Sequence, residues 1–455
     1  MQEMVKNKIL VNKKIGLAVP EVLLPNKTVD MSKWAVVACD QFTSQPEYWQ
    51  EVETIVGDTP STNNVIFPEV FLEKPGEEER IEKINASMNK YLEEGTLVKQ
   101  APGFIYLDRS TEHTSSRKGL VIGLDLEQYS YEKGSKTLVR ATEGTIPDRI
   151  PPRLKVRKNA SIELPHILVL IDDPEKTVIE PIAARTSQLE KVYDTDLMMK
   201  GGHIKGWKVE EPAMIQNIFT ALEKLSEINV FQTKYNTTDT DVLLFATGDG
   251  NHSLATAKAH WGNIKKTLTA EEQESHPARY ALVELNNIHD EGLVFEPIYR
   301  VVFNVSPKQF VTDFVTYCNN LGLNAEWKET SSKTEALKIA ETVSKGVHAV
   351  PFASKTTCGT VLINKPNQVL EVGTLQVFIN DYLKTNTNAE VDYIHGTDIV
   401  DDLAAKDNNI GLYTPTVDKN TLFETVVKDG SLPRKTFSMG EAEEKRYYLE
   451  SKKIV

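Results

Sequence analysis

Five kinds of polar side chain crowd seven residues inside DVLLFATGDGNHSLATAKAHW, residues 241–261. Residues 242–245 read as a buried apolar strand, and an alanine-rich helix is predicted over about 252–262. Between them lie Thr247, Gly248, Asp249, Gly250, Asn251, His252 and Ser253. Two glycines flanking an aspartate allow a tight turn and close approach of the backbone to a ligand. Such a turn delivers a helix N-terminus, whose free N–H groups and dipole favour an anion such as a phosphate. Asp249 and His252 then stand at the mouth of that anion site. The acid can take a proton from a hydroxyl or hold a metal. The imidazole can donate to a phosphate or shuttle a proton. An ordinary N-cap at Asp249 or Asn251 is the plainer reading. It accounts for one residue of the group, so both readings stay open here.

The second chemically dense stretch is VRATEGTIPDRIPPRLKVRKN, residues 139–159. Arg140, Arg149, Arg153 and Arg157 with Lys155 and Lys158 stand against Glu143 and Asp148. Guanidinium forks bind phosphates and carboxylates with fixed geometry. A positive loop in an acidic chain fits an anionic ligand such as a nucleotide. It fits equally well a basic face that pairs with acids elsewhere. Pro147, Pro151 and Pro152 predict an ordered loop at its start. Glu143 is the carboxylate there that would be both ionised and positioned.

These segments must be carried by a substantial fold. The chain has 455 residues, with 52 Lys and Arg against 65 Asp and Glu, a net charge of −13. That length calls for two or three domains and can bury a large core. An acidic chain is a poor general nucleic-acid binder. No run of 18 apolar residues occurs, so no membrane span is expected. The N-terminal residues lack a signal-peptide pattern, which makes the cytoplasm the expected location. Three cysteines (Cys39, Cys318 and Cys358) are too few and too scattered for a disulfide framework or a closed zinc site.

Strand-like and helix-like segments alternate without strict βα order. This predicts an α+β fold of mixed sheets with flanking helices. Strands are expected at 34–38, 104–107, 120–126, 167–171 and 241–246, and helices at 75–95 and 211–228. A boundary near residue 304 divides the expectation into a main domain, 1–304, carrying the anion site, and a C-terminal region, 305–455. Gly201-Gly202-His203 reads as a lid or a plain connection, and Cys39 as a buried thiol. Leu432-Pro433-Arg434-Lys435-Thr436 is a further cation source or a surface turn.

Four segments in order resemble the domain-of-unknown-function family 1015, over nearly the whole chain. ATEGTIPDRIPPR matches at Glu143, Thr145, Asp148 and Arg149. GDGNHSLATAKAH matches at Asp249, Gly250, His252 and Ala257. GLVFEPIYRVVF matches at Gly292, Leu293, Pro297 and Arg300, and LPRKTF at its own motif near the C-terminus. Two positions depart from the family pattern: Ser253 replaces an arginine and Tyr299 a histidine. More distantly, the strand–DGxH–helix unit resembles the phosphate-binding element of the ParB and sulfiredoxin-like superfamily. That superfamily includes nucleotide hydrolases, sulfinate reductases and free-serine kinases.

The resemblance implies a nucleotide-dependent phosphotransferase acting on a small hydroxyl-bearing metabolite, such as a free amino acid like serine. The expected catalytic residues are Asp249, His252 and Glu143. Phosphate contacts are expected from Gly248, Gly250, Asn251, Ser253, Arg140, Arg149, Arg153 and Arg300. ATP or ADP with Mg²⁺ is the expected cofactor, with no nucleic-acid or membrane partner. A phosphoester or nucleotide hydrolase, or a non-catalytic nucleotide-binding regulator, would use the same parts.

Overall fold

The computed structural model describes residues 9–455 apart from Lys133 and Arg434. The cation expected at Arg434 therefore lies outside the described residues. The chain forms two compact units. One comprises the chain up to Leu293 together with Gly440–Val455, and the other comprises Val294–Met439.

The first unit is built on an eleven-stranded mixed sheet. From one edge its main path runs Lys191–Leu197, Gly202–Val209, Phe104–Ser110, Arg117–Asp125, Tyr280–Asn287, Leu168–Ile171, Phe245–Asp249, Val139–Ala141 and Tyr129–Ser130. Neighbours are antiparallel except for three parallel pairs. These are Tyr280–Asn287 with Leu168–Ile171, Phe245–Asp249 with Val139–Ala141, and Val139–Ala141 with Tyr129–Ser130. The central strands are covered on both faces: every residue of Tyr280–Asn287 is buried, the polar Glu284, Asn286 and Asn287 included. Helices such as Glu77–Glu93, Pro212–Leu225 and Asn251–Ile264 each bury an apolar stripe. The architecture is mixed α+β.

The second unit holds a seven-stranded sheet. All its pairings are antiparallel. The helices Pro307–Asn320 and Glu371–Thr385 contribute Phe310, Phe314 and Phe378 to its core.

Several local expectations move when seen in three dimensions. The strand expected at 34–38 shrinks to Val36–Val37, because Asp30 caps a short helix, Met31–Trp34, by accepting from Ser32 N at 3.0 Å. The prolines at 151 and 152 do not keep their stretch a loop. They fall in the first turn of the helix Ile150–Arg157, where the missing N–H groups would have no intrahelical partner anyway. The break expected near residue 304 falls inside the second unit. Asn304, at φ +60°, closes the strand Phe295–Phe303 before the next helix, so it ends an element rather than a domain. Of Gly201-Gly202-His203, Gly201 ends a turn and Gly202 and His203 open the strand Gly202–Val209, paired with Leu197 and Asp196.

Candidate functional site

The strand into the glycine-punctuated turn starts later than its apolar run implies, covering Phe245–Asp249. Against its antiparallel neighbour, Val169 pairs with Thr247 and Leu168 with Asp249. Gly248 is the extra residue of a β-bulge, and a bulge re-aims the side chain that follows it. Gly250 then turns the chain at φ +78°. A Cβ there would sit 3.1 Å from Cα of Ile167, so both the backbone angle and the space require glycine. The helix Asn251–Ile264 begins at once, with Gly250 as N-cap and no side-chain cap. The plain capping reading therefore fails for both of its candidates. Asn251 Oδ1 accepts instead from Thr247 Oγ1, and Asp249 Oδ1 accepts from Gly250 N at 2.9 Å. The first-turn N–H groups keep the anion-binding character of an uncapped helix start.

The loop carrying Glu143 is fastened to this turn. Val139–Ala141 runs parallel beside Phe245–Asp249. Just beyond it, Thr142 Oγ1 donates to the Thr247 carbonyl at 2.6 Å. Ile146 N donates to His252 Nε2 at 3.2 Å. In that bond Nε2 is an acceptor, which puts the proton of a neutral His252 on Nδ1. The structure thus brings the backbone around Glu143 to the helix start that carries Asp249, Asn251, His252 and Ser253.

Most of the basic stretch is engaged by partners of its own, although Arg153 and Arg157 line the cavity that also holds Ser253 and His166. Arg140 donates to the carbonyls of Thr137 and Asp241. Arg153 pairs with Glu69, Arg157 with Glu163, and Lys155 with Glu77. Arg149 is exposed at the entry to the helix Ile150–Arg157. Arg300 lies in the second unit, fully buried, donating to Gln376 Oε1 and the Ile298 carbonyl. Local acids and carbonyls thus engage Arg140, Arg153 and Arg300, three of the four arginines expected at phosphates.

Residues 440–455 add side chains that no local pattern announces. Lys445 Nζ lies 3.1 Å from Asp249 Oδ2, with side-chain exposures of 10% and 28%. Tyr448 Oη lies 2.8 Å from His166 Nδ1, and His166 Nε2 lies 2.7 Å from Ser253 Oγ. Among the contacts that hold this segment, the following frame Lys445 and Tyr448. Tyr447–Tyr448 pairs with Val36–Val37. Arg109 donates to the carbonyls of Glu443, Glu444 and Lys445. Arg446, 2% exposed, pairs with Glu284 at 2.9 Å and with Glu450. About two hundred residues separate Asp249 from Lys445, and nothing in either segment marks the other.

Burial raises the cost of the Asp249 charge. The Lys445 ion pair and hydrogen bond, the Gly250 N–H and the nearby His166 outweigh it, and the carboxyl is held below its ordinary range. A depressed carboxyl contributes stability above the unfolded-state pKa, and that stability is lost as pH falls through the folded value. NMR titration should therefore find Asp249 ionising below a free aspartate. In Lys445→Met, burial dominates and the titration should move upward. An unchanged midpoint would remove Lys445 from the account.

The sequence profile of a family described as protein of unknown function (DUF1015) matches residues 23–450. No curated protein matches. Among solved structures, a conserved hypothetical protein from Pyrococcus furiosus is 12% identical, with 72% of this chain and 90% of that one covered and a TM-score of 0.34. A free serine kinase in complex with AMP is 10% identical, with 73% and 91% covered and a TM-score of 0.36. SbnI from Staphylococcus aureus, C-terminally truncated, is 9% identical, with 70% and 82% covered and a TM-score of 0.33. No helix among the described residues is long and apolar enough to cross a membrane.

Proposed function

The chain belongs to the DUF1015 family of proteins of unknown function, and from that premise we propose that it is a nucleotide-dependent phosphotransferase acting on a small hydroxyl-bearing metabolite. One observation carries the reading. A bulged strand delivers an uncapped helix start, with the Asp249–Lys445 pair and His252 beside it. Phosphoryl transfer asks mainly for positioning and charge neutralisation. Backbone N–H groups of Asn251, His252 and Ser253 would hold phosphate oxygens. Lys445 and Arg149 would offset charge that develops in transfer.

The strand–turn–helix would then act as a phosphate element of the ParB and sulfiredoxin-like kind. Asp249 would orient the acceptor hydroxyl and receive its proton. The acceptor oxygen forms the new bond to phosphorus, the bond to the nucleoside diphosphate breaks, and the diphosphate leaves. Among the described residues, no three His, Cys, Asp or Glu side chains converge as a metal site. Mg²⁺ arriving with the nucleotide would be held chiefly by its phosphates and water, with Asp249 offering a carboxylate. Bound there, the ion would supply charge neutralisation.

Calorimetry with ATP and ADP at millimolar concentration tests the first half. Phosphorus NMR of mixtures with amino acids, serine among them, and sugars tests the second. The expected result is nucleotide binding and one phosphorylated acceptor. Absence of any nucleotide or pyrophosphate binding would overturn the reading. ADP release without a phosphorylated acceptor would convert it to a hydrolase.

A further inference from the structure

Beside the helix start lies a cavity of about 150 Å³. Its lining is chiefly apolar, with Ile84, Met88 and Val156 among the groups, and it includes Ser253 and His166. Ser253 Oγ is 2.7 Å from His166 Nε2, and His166 lies near Asp249. The cavity thus adjoins the residues that the phosphotransferase reading uses, but that reading leaves its ligand unassigned.

Four charged side chains also line it: Glu69, Arg153, Arg157 and Glu163. Arg153 and Arg157 are one helical turn apart in Ile150–Arg157, so they share a face. Arg153 pairs with Glu69 and donates from Nη1 to the Arg149 carbonyl at 2.8 Å. Arg157 pairs with Glu163. Glu163 is the more heavily engaged acid. Its Oε1 accepts from Leu282 N at 2.8 Å and lies 3.3 Å from Lys452 Nζ. The lining and its direct ion-pair partners therefore set Arg153, Arg157 and Lys452 against Glu69 and Glu163, one cation in excess. Each of the two guanidiniums also keeps a buried Nε–H with no hydrogen-bond partner. A buried donor left unmet carries its full desolvation cost, and an anion is the acceptor that a guanidinium binds best.

The charges select the class of ligand. One excess cation suits a monoanion, and the planar guanidinium fork suits a carboxylate. An ammonium group would find no carboxylate without a cation, because Arg153 holds Glu69 while Arg157 and Lys452 hold Glu163. Burying a charge without a partner is costly. The apolar wall calls for a short hydrocarbon, and an apolar cavity of about 150 Å³ holds a benzene-sized molecule. Ser253 and His166 offer polar partners to a hydroxyl, whichever way the hydrogen bond between them runs.

We propose that this cavity binds a short-chain hydroxy carboxylic acid as its monoanion, carboxylate toward Arg153 and Arg157 and hydroxyl toward Ser253, and that this acid is the phosphoryl acceptor. The second half rests on the phosphotransferase reading, and the first does not. In transfer, the hydroxyl oxygen bonds to the terminal phosphorus of the nucleoside triphosphate and its proton passes to Asp249. The bond to the nucleoside diphosphate breaks, and the product is the phosphoester of the acid. The same charges rank free amino acids, serine included, below their hydroxy-acid counterparts.

Two pairs of probes differ only by the ammonium group: 3-hydroxypropanoate against serine, and 3-hydroxybutanoate against threonine. Calorimetry on the full chain, without nucleotide, should find both hydroxy acids bound at millimolar concentration. Each should bind at least about tenfold more tightly than its amino acid. Arg157→Lys keeps a cation beside Glu163 but removes the Nε–H, and should weaken binding at least about tenfold. Ala160, 6% exposed, also lines the cavity, and Ala160→Leu should abolish binding by filling it. Thermal melts show whether these variants stay folded, and the probe comparison needs only the wild type. Wild-type protein that binds neither hydroxy acid, or binds serine or threonine as tightly, overturns the proposal. Calorimetry and phosphorus NMR with ATP report separately on the phosphotransferase. ATP bound without either hydroxy acid leaves that reading standing and removes this acceptor. A hydroxy acid bound without ATP supports the cavity's ligand and overturns the phosphoryl step.

Discussion

Asp249→Asn is expected to slow phosphoryl transfer at least about a hundredfold, in line with the usual 10²–10⁴ cost of losing a catalytic base, while staying folded, with a melt lowered only by the loss of the Lys445 ion pair. The structure sets up this separation. Asp249 is not a helix cap, so the substitution removes no capping bond. Its Oδ1 accepts from Gly250 N and its Oδ2 faces Lys445. An amide oxygen can still accept one of these bonds, but it brings no charge to orient an acceptor hydroxyl or touch Mg²⁺. A turn residue and a reacting residue therefore predict different kinds of loss. Steady-state rates with the identified acceptor, set beside thermal melts, separate them. Turnover near wild type in the variant would leave Asp249 as a turn residue and direct the search for the base to Glu143.

The largest stability effect is expected from Arg446→Met. Arg446 sits between Glu284 and Glu450, both 0% exposed. Glu284 also accepts from Asn286 Nδ2 at 3.0 Å, and Glu450 accepts from Tyr193 Oη. Removing the cation strands two carboxylates in the interior. Breaking one buried pair in this way typically costs about 3–5 kcal/mol. The loss should appear as a lower denaturation midpoint in urea. Because Lys445 and Tyr448 flank Arg446, catalysis should suffer as well. Adding Glu284→Gln and Glu450→Gln should recover much of the stability, since neutral groups in place of a whole buried ionic cluster can come close to break-even. A midpoint unchanged by Arg446→Met alone would mean that the cluster holds nothing together.

The fold class was legible because it rests on local periodicity. The helix expected at 75–95 is present as Glu77–Glu93, with three glutamates in its first turn. The strand expected at 167–171 is present as Leu168–Ile171. What misled was chemistry read without its partners. Arg140, Arg153 and Arg300 look like phosphate ligands as residue types, yet carbonyls and acids close to them in space engage them. The prolines of the basic stretch signal a break, but their position at a helix start makes them compatible with it. Lys445, Tyr448 and His166 had no local signature at all. Each gains meaning from a contact across at least 87 residues, as in the pairing of His166 with Ser253. The glycines around Asp249 were read for backbone freedom. The bulge at Gly248 depends on the neighbouring strand and could be seen only once strand register was known.

Residues 440–455 rejoin the first unit after all of Val294–Met439 has intervened, and this orders events on the ribosome. When translation has reached Leu293, Glu284 already lies within its strand, but Arg446 does not yet exist. Asp249 likewise waits for Lys445, and His166 for Tyr448. A nascent chain paused within the second unit carries a carboxylate destined for the interior without its counter-ion, together with the unfilled place of the late strand Tyr447–Tyr448. Such a chain is a natural client for chaperones and proteases. The contacts of Asp249 and His166 with Lys445 and Tyr448 form only after residue 448 has been made.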